Sequence, residues 1–438
     1  MYSADPSPAF IDFPAVDTLS TEIKFQLIQE ITHKISTSLD IDEILNLIID
    51  AVRSFVRYDA AAIYIVESKS NEKRMQALVH RAYDVSRTNM LRLKFGEGLV
   101  GWVIKNSKGV IIPDVRNDSR YIEADPETKS EIVAPIISNG KVIGAFNLES
   151  HEKTTYTERD LDMLMFFAGT AAISIEKAFL HQERLEKKRL ESELGIARQV
   201  QLSLLPDRDP VIPGFDISGA NFPTEEVSGD SFDFISFPNQ QLGICIADVS
   251  GKGIPAALIM ASFRASLRAQ VRNDYAIRSI FRKVNYLLWE SVTGAQYVTA
   301  IYGVLDPFSH RFTYADAGHN PMILLRADNT HLELSCGNTV LGMFEDIDYR
   351  ECNRRLKPGE IVILYTDGVT EAARDGVELG PQGLINIVKE LRHLPAREMV
   401  HQIYEAVRKY AQQSVLDDDL TVVIIKVLEE QKNRHYRS

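Results

Sequence analysis

The sequence predicts an α+β protein of two globular units joined by a helix, on three observations. Its 438 residues exceed one ordinary domain. Helix-period and strand-period runs alternate through residues 20–178 and again through 206–428. Between them, residues 176–193 hold five acids and five bases with no Gly or Pro.

Composition narrows the class. Apolar residues are 45% and charged residues 25%, globular values that exclude a disordered or fibrous chain. The net charge of −12 gives no attractive field toward nucleic acid or an anionic membrane, so neither is expected as a partner. Cys245, Cys336 and Cys352 form no C-x-x-C, and they are expected as separate thiols in a reducing compartment. Residues 1–19 read as a flexible tail with Pro6, Pro8 and Pro14 and no basic leader. The most apolar run, 163–175, is shorter than the roughly 20 residues a membrane span needs. A soluble, cytoplasmic protein is expected.

In the first unit, Ile23, Leu27, Ile31 and Ile35 mark one helix. Asp40 and Glu43 form a capping-box pattern that opens a second, with Ile44, Leu47, Ile48, Val52 and Phe55 as its stripe. Strand-like runs follow at 60–66, 75–83, 110–115 and 131–137. Asn139-Gly140 between two apolar runs predicts a hairpin. Thr157 and Asp160 then open a long helix. Leu190, Leu194, Ala197, Gln201 and Leu204 keep a 4-3-4-3 spacing, which predicts a coiled coil over 179–205 that pairs two copies of the chain; Pro206 ends it.

The second unit reads as strands at 243–248, 298–305, 311–315, 322–325, 360–365 and 420–427, with helices at 255–272, 277–292 and 396–412. Residues 429–438 are a polar tail. Four acidic elements stand out: "VSGDSFDF" (227–234), "IADVSGKG" (246–253), "LYTDGVTEA" (364–372) and "DDDLTVVIIKV" (417–427). A carboxylate beside a turn at a strand end can reach a cleft at the sheet edge. Several such groups, with no Cys and little His, suit Mg²⁺ or Mn²⁺ rather than Zn²⁺.

Two resemblances follow. Residues 20–178 resemble a GAF sensory domain through "GEGLVGWV", "IIPDVRNDSRY", "SEIVAPI", "GAFNLES" and "YTERDLDML". This segment has no cysteine for a thioether-linked bilin and lacks the cyclic-nucleotide signature, so its ligand stays open; His80 and His151 read as structural or surface residues. Residues 206–428 resemble the PPM-type (protein phosphatase 2C-like) metal-dependent Ser/Thr phosphatases of the SpoIIE/RsbU-like group. The four acidic elements carry this, with "ARQVQLSLLP", "YVTAIYGVLD", "DAGHNP", "TVLGMF" and "LKPGEIVILYTDGVTEA". The resemblance implies an α/β/β/α sandwich in which Asp248 bridges two Mn²⁺ or Mg²⁺ ions. Asp230 and Asp367 complete the coordination, Asp418 serves a metal, and the Val249 carbonyl adds a ligand; Asp419 is a weaker candidate. Ser228 and Asp316 depart from the family's usual Gly and Asn. His319 is expected to be structural.

The implied function is a sensor-regulated protein serine/threonine phosphatase. Its implied substrate is a small phosphoprotein regulator of the STAS type, an anti-sigma-factor antagonist. The competing expectation is a catalytically silent GAF-containing scaffold, which need not keep all four aspartates.

Overall fold

The structure is a computed structural model. It describes residues 21–69, 72–83, 92–274, 276–291, 296–412 and 416–429. The expectations for the two tails, and the ends of some runs, lie outside these. The chain divides into two compact units, Met1–Arg189 and Leu190–Ser438.

The first unit is a six-stranded antiparallel sheet. Its elements are α1 (Thr21–Thr37), α2 (Ile41–Arg53), β1 (Ala60–Lys69), β2 (Glu72–Arg81), β3 (Arg92–Lys94), α3 (Gly98–Asn106), β4 (Val110–Ile112), β5 (Ser130–Ser138), β6 (Lys141–Ser150) and the part up to Arg189 of α4 (Glu158–Leu204), whose remainder belongs to the second unit. The strand order is β3-β2-β1-β6-β5-β4. The Asp40 side chain caps α2 by accepting from the Glu43 amide at 3.0 Å. Asn139 and Gly140 take φ of 49° and 75°, the left-handed pair that a two-residue hairpin between β5 and β6 requires. One sheet face packs on α1, α2 and the start of α4 through Ile48, Phe146, Phe167 and Ile175. The other packs on α3 through Tyr64, Leu99, Val103 and Val133.

α4 runs unbroken for 47 residues, through Gly195, as the continuity of its pattern predicts. Among the described residues it alone holds a stretch long and apolar enough, by length and composition, to cross a membrane. The buried side of that stretch, Leu164, Phe167, Ala168, Ala171, Ala172 and Ile175, is core of the first unit.

The second unit stacks two five-stranded antiparallel sheets between helices. Its elements are β7 (Phe215–Phe222), β8 (Ser231–Ser236), β9 (Leu242–Val249), α5 (Gly253–Val271), α6 (Ile277–Ser291), β10 (Val298–Asp306), β11 (Arg311–Ala317), β12 (Met322–Leu325), β13 (His331–Leu334), β14 (Cys352–Arg355), β15 (Ile361–Tyr365), α7 (Asp367–Thr370), β16 (Ala373–Arg374), β17 (Val377–Glu378), α8 (Gly380–Leu391), α9 (Ala396–Ala411) and β18 (Leu420–Val427). The sheets are ordered β14-β11-β10-β9-β8 and β13-β12-β15-β18-β7. Ile246, Ile301, Leu324, Leu364 and Val423 fill the space between them. α5 and α6 cover one outer face, and α8 and α9 the other. This is the α/β/β/α sandwich expected above.

The thiols depart from expectation. Cys336 and Cys352 are joined, with Cα atoms 5.9 Å apart, and Cys245 is buried and free. The partners meet because Cys352 pairs with Tyr314 across β14 and β11, and the Cys336 sulfur lies against the Tyr314 carbonyl. No local spacing encodes that contact.

Candidate functional site

The acidic elements converge at one end of the two sheets. Asp248 is near the end of β9, paired across from Thr299 of β10. The chain then turns through Gly251 and Gly253, whose φ of +97° and +73° are open to glycine but strained for other residues. That turn delivers α5. Val249 ends β9; its amide donates to the Gly229 carbonyl at 3.3 Å, so its own backbone lies against the turn carrying Asp230.

Asp230 precedes β8 and is 4% exposed. Its Oδ2 accepts from Thr366 Oγ1 at 2.6 Å and Thr421 Oγ1 at 2.7 Å. Those threonines are the last residue before α7 and the second of β18, so two distant segments lock one carboxylate. Burial and then the Asp248 charge push the Asp230 carboxyl well up from its ordinary range. Asp248 is pushed up to about 7 by burial and by Asp367, although a hydrogen bond with Asp230 opposes the shift. Asp367 opens α7 and is raised by burial and by Asp418. Asp418 is the most open of the four, and Lys252 Nζ stands 3.1 Å from its Oδ2.

Gly368 makes this convergence possible. A Cβ there would lie 2.1 Å from the Asp419 carbonyl, so only glycine lets the 418–419 backbone pass beside Asp367.

The structure separates Asp419 from the other candidates. Its Oδ1 accepts from the Thr224 amide at 2.8 Å. Its Oδ2 accepts from Ser228 Oγ at 2.7 Å and the Gly229 amide at 3.0 Å. Both oxygens are thus spent on the turn that presents Asp230, which makes Asp419 a positioning residue. Ser228, the departure from the usual glycine, supports that turn: its Oγ also accepts from the Asp230 amide at 3.0 Å. Gln201 of α4 grips the same residue on both sides. Its Nε2 donates to the Ser228 carbonyl at 2.6 Å, and its Oε1 accepts from the Ser228 amide at 2.8 Å.

His319 is structural. Its Nε2 lies 3.1 Å from the Tyr365 carbonyl, which can only accept, so Nε2 carries the proton and Nδ1 accepts from Thr299 Oγ1 at 2.8 Å. Burial pushes it down to about 4, which keeps it neutral at physiological pH. Asp316 is structural too, accepting from the Cys336 amide at 2.8 Å.

The donor set fits hard cations. Asp248 raises Asp230, a hydrogen bond with Asp230 partly offsets the rise of Asp248, and no Lys, Arg or His is among the largest influences on either. As they stand, no three described His, Cys, Asp or Glu side chains close round one point tightly enough to hold a metal. Asp230 is engaged by the two threonines and Asp418 by Lys252. Sequence reasoning singled out Ser228 at the turn carrying Asp230 but missed the roles of Thr366, Thr421, Gln201 and Lys252, which depend on contacts between distant segments.

Comparison with known proteins agrees with this geometry. The family described as Stage II sporulation protein E (SpoIIE) matches residues 238–428, and the GAF domain family matches 38–176. Phosphoserine phosphatase RsbU of Bacillus subtilis (strain 168) is 32% identical over 241 residues, 55% of this chain and 71% of RsbU. Phosphoserine phosphatase RsbP of the same organism is 25% identical over 251 residues, 56% of this chain and 60% of RsbP. Among solved structures, the SiaA-PP2C domain of Pseudomonas aeruginosa shares the fold, with a TM-score of 0.50 at 20% identity over 55% of this chain and 98% of that domain. The chain belongs to the SpoIIE-type, RsbU-like family: it is a metal-dependent phosphatase of the PP2C type that carries a GAF domain.

Proposed function

We propose that the chain hydrolyses phosphoserine or phosphothreonine on a small signalling protein, a STAS-type anti-sigma-factor antagonist, under control of its GAF unit. The observation that carries the reading is the set Asp230, Asp248, Asp367 and Asp418 gathered at one sheet end, with Lys252 as the cation beside Asp418 and burial and like charge raising Asp230, Asp248 and Asp367. The substrate class is supported by the likeness to RsbU and RsbP, both phosphoserine phosphatases.

Asp230, Asp248, Asp367, Asp418 and the Val249 carbonyl would hold two Mn²⁺ or Mg²⁺ ions, which when bound acidify a water for in-line attack and neutralise charge on the phosphoryl oxygens. The chain's own part is positioning. Thr366 and Thr421 fix Asp230, and Asp419 fixes the turn ahead of it. Lys252 sits beside Asp418 with half its side chain exposed, a cation within reach of an incoming phosphate. The test is Mn²⁺-dependent hydrolysis of p-nitrophenyl phosphate by the full chain. Turnover that survives chelation and Asp248→Ala would rule the assignment out and leave the scaffold reading.

Regulation is proposed to run through α4. Phe166, Ile173 and Leu180 are exposed at seven-residue intervals on it, at 47%, 72% and 59%, a seam suited to a second copy. The seam differs from the one the sequence spacing suggests, since Gln201 is spent on Ser228 within the chain. A homodimer in the cytoplasm is the proposed state, and a monomer by light scattering at micromolar concentration would refute it. A shift of α4 would reach Asp230 through the Gln201 grip.

A further inference from the structure

A second pair of buried carboxylates lies in the first unit, away from the phosphatase site. Glu131 of β5 and Glu149 of β6 are direct cross-strand partners. Such partners share a face, with Cβ atoms about 5 Å apart. They are 4% and 2% exposed. The same face carries Asn147, two residues before Glu149, and Tyr64 of β1. Leu99, Val100 and Val103 of α3 pack on it.

The two carboxylates are satisfied unequally. Glu149 Oε1 accepts from Tyr83 Oη at 2.5 Å and Asn147 Nδ2 at 3.0 Å, and its Oε2 accepts from Thr128 Oγ1 at 2.5 Å. Among the described residues, no side chain donates to Glu131. Burial, Glu149 and then Asp118 all push its carboxyl up, and no neighbour pulls it down. No Lys, Arg or His is among the largest influences on either acid. Nearby Arg120 is spent on Asp118 at 2.6 Å and on the Trp102 ring at 4.5 Å.

A third group points to a ligand. Asn147 is 3% exposed, and its Nδ2 is fixed by Glu149 Oε1 and Tyr83 Oη. Its Oδ1 is buried without any hydrogen-bond partner. A buried acceptor left unmade is costly, so native structures pair nearly all of them. The face therefore presents the open acceptors of Glu131 and Asn147 Oδ1, with Glu149 beside them, under net negative charge.

We infer that this face binds a small organic ligand through a primary ammonium group, with Glu131, Glu149 and Asn147 Oδ1 accepting its three N–H bonds and the α3 side covering its carbon body. The match is in the chemistry: an ammonium carries three donors and no acceptor. A quaternary ammonium carries the charge without the donors. A hard divalent ion asks for six or more oxygens, more than this face offers. The inference does not depend on the phosphatase reading.

The test is thermal unfolding and calorimetric titration of the full chain with methylammonium, butylammonium, putrescine and free L-amino acids, with tetramethylammonium and Mg²⁺ as controls. At least one primary ammonium should raise the unfolding midpoint saturably, and tetramethylammonium and Mg²⁺ should not. Glu131→Gln should weaken binding by at least about tenfold, the worth of one charge-assisted hydrogen bond. If that variant loses its cooperative transition, Asn147→Ser makes the same comparison. The inference is overturned by no saturable response to any primary ammonium, by an equal response to tetramethylammonium or Mg²⁺, or by undiminished binding in the folded variant.

Discussion

Two buried acid pairs, one in each unit, face the same electrostatic problem with different support. Asp230 and Asp248 lie at the mouth of a sandwich, and hydroxyls from two other segments, Thr366 and Thr421, reach Asp230. Glu131 and Glu149 lie on one sheet face under a helix, and donors reach only Glu149. Hydroxyls and amides can hold a carboxylate in place, but they cannot cancel its charge. Both pairs therefore keep raised titration ranges. The difference lies in access: strand ends with open turns suit exchange of ions and a bulky phosphoprotein, whereas a covered sheet face suits a small ligand.

The largest expected effect separates stability from activity at Asp248. Asp248→Asn should cut Mn²⁺-dependent turnover by at least about 10³-fold, on the scale of losing metal-organised charge stabilisation. In chelator it should raise the unfolding midpoint. The free carboxyl titrates near 3.8 and the folded one at about 7, so between these values the folded state keeps a proton the unfolded state has lost. Stability without metal thus falls as pH rises from about 4 to 7, by up to about 4 kcal/mol. The Asn variant should not show that fall. A parallel pH dependence in both proteins would remove Asp248 from the pair.

Gly368→Ala should come next. Its Cβ would meet the Asp419 carbonyl at 2.1 Å, so backbone must move. A loss of about 2–4 kcal/mol is expected from strain at so tight a packing site, together with most activity. Chemical denaturation reads it, and a change below about 0.5 kcal/mol would mean that the 418–419 segment yields freely.

Much of this architecture is legible in the sequence, and the exceptions share a cause. Strands with long apolar runs, such as β12 and β18, have the predicted bounds. The hairpin at Asn139-Gly140 and the cap at Asp40 follow from local chemistry. β8 and α8 do not stand out, since β8 is short and mixed and α8 opens on Gly380-Pro381. At the site, the aspartates stand out because carboxylates beside glycine turns are conspicuous in any chain. Thr366, Thr421 and Gln201 do not, because their meaning lies in partners 136, 191 and 27 residues away. Asp418 and Asp419 show the limit most plainly. They are adjacent and chemically identical; the resemblance ranks Asp418 first, but only the fold shows that Asp419 belongs to the turn and that Asp418 faces Lys252.

A smaller effect tests the Glu pair. The Glu131 carboxyl is raised, so the first unit should lose stability as pH climbs above the ordinary glutamate range near 4.5 and through the raised value. Glu131→Gln should flatten that slope and stabilise the ligand-free protein by about 1–3 kcal/mol, the usual cost of an unmet buried polar group. A steeper slope in the variant would show that Glu149 carries the strain instead.

The smallest effect is expected at Gln201, and it joins α4 to the catalytic pair. Its amide closes two hydrogen bonds on the Ser228 backbone, and Ser228 in turn holds the Asp230 amide and the Asp419 carboxylate. Neutral hydrogen bonds of this kind contribute about 0.5–1.5 kcal/mol each. Gln201→Ala should therefore destabilise the second unit only slightly. It should lower turnover by about fivefold, with the loss appearing as a raised Mn²⁺ requirement because the turn presenting Asp230 is loosened. Gln201→Glu is the sharper variant, since it keeps the Ser228 amide bond but sets a carboxylate against the Ser228 carbonyl. If both variants kept the Mn²⁺ dependence of the parent while an insertion in the 179–205 segment altered activity, α4 would act on the phosphatase by some route other than this grip.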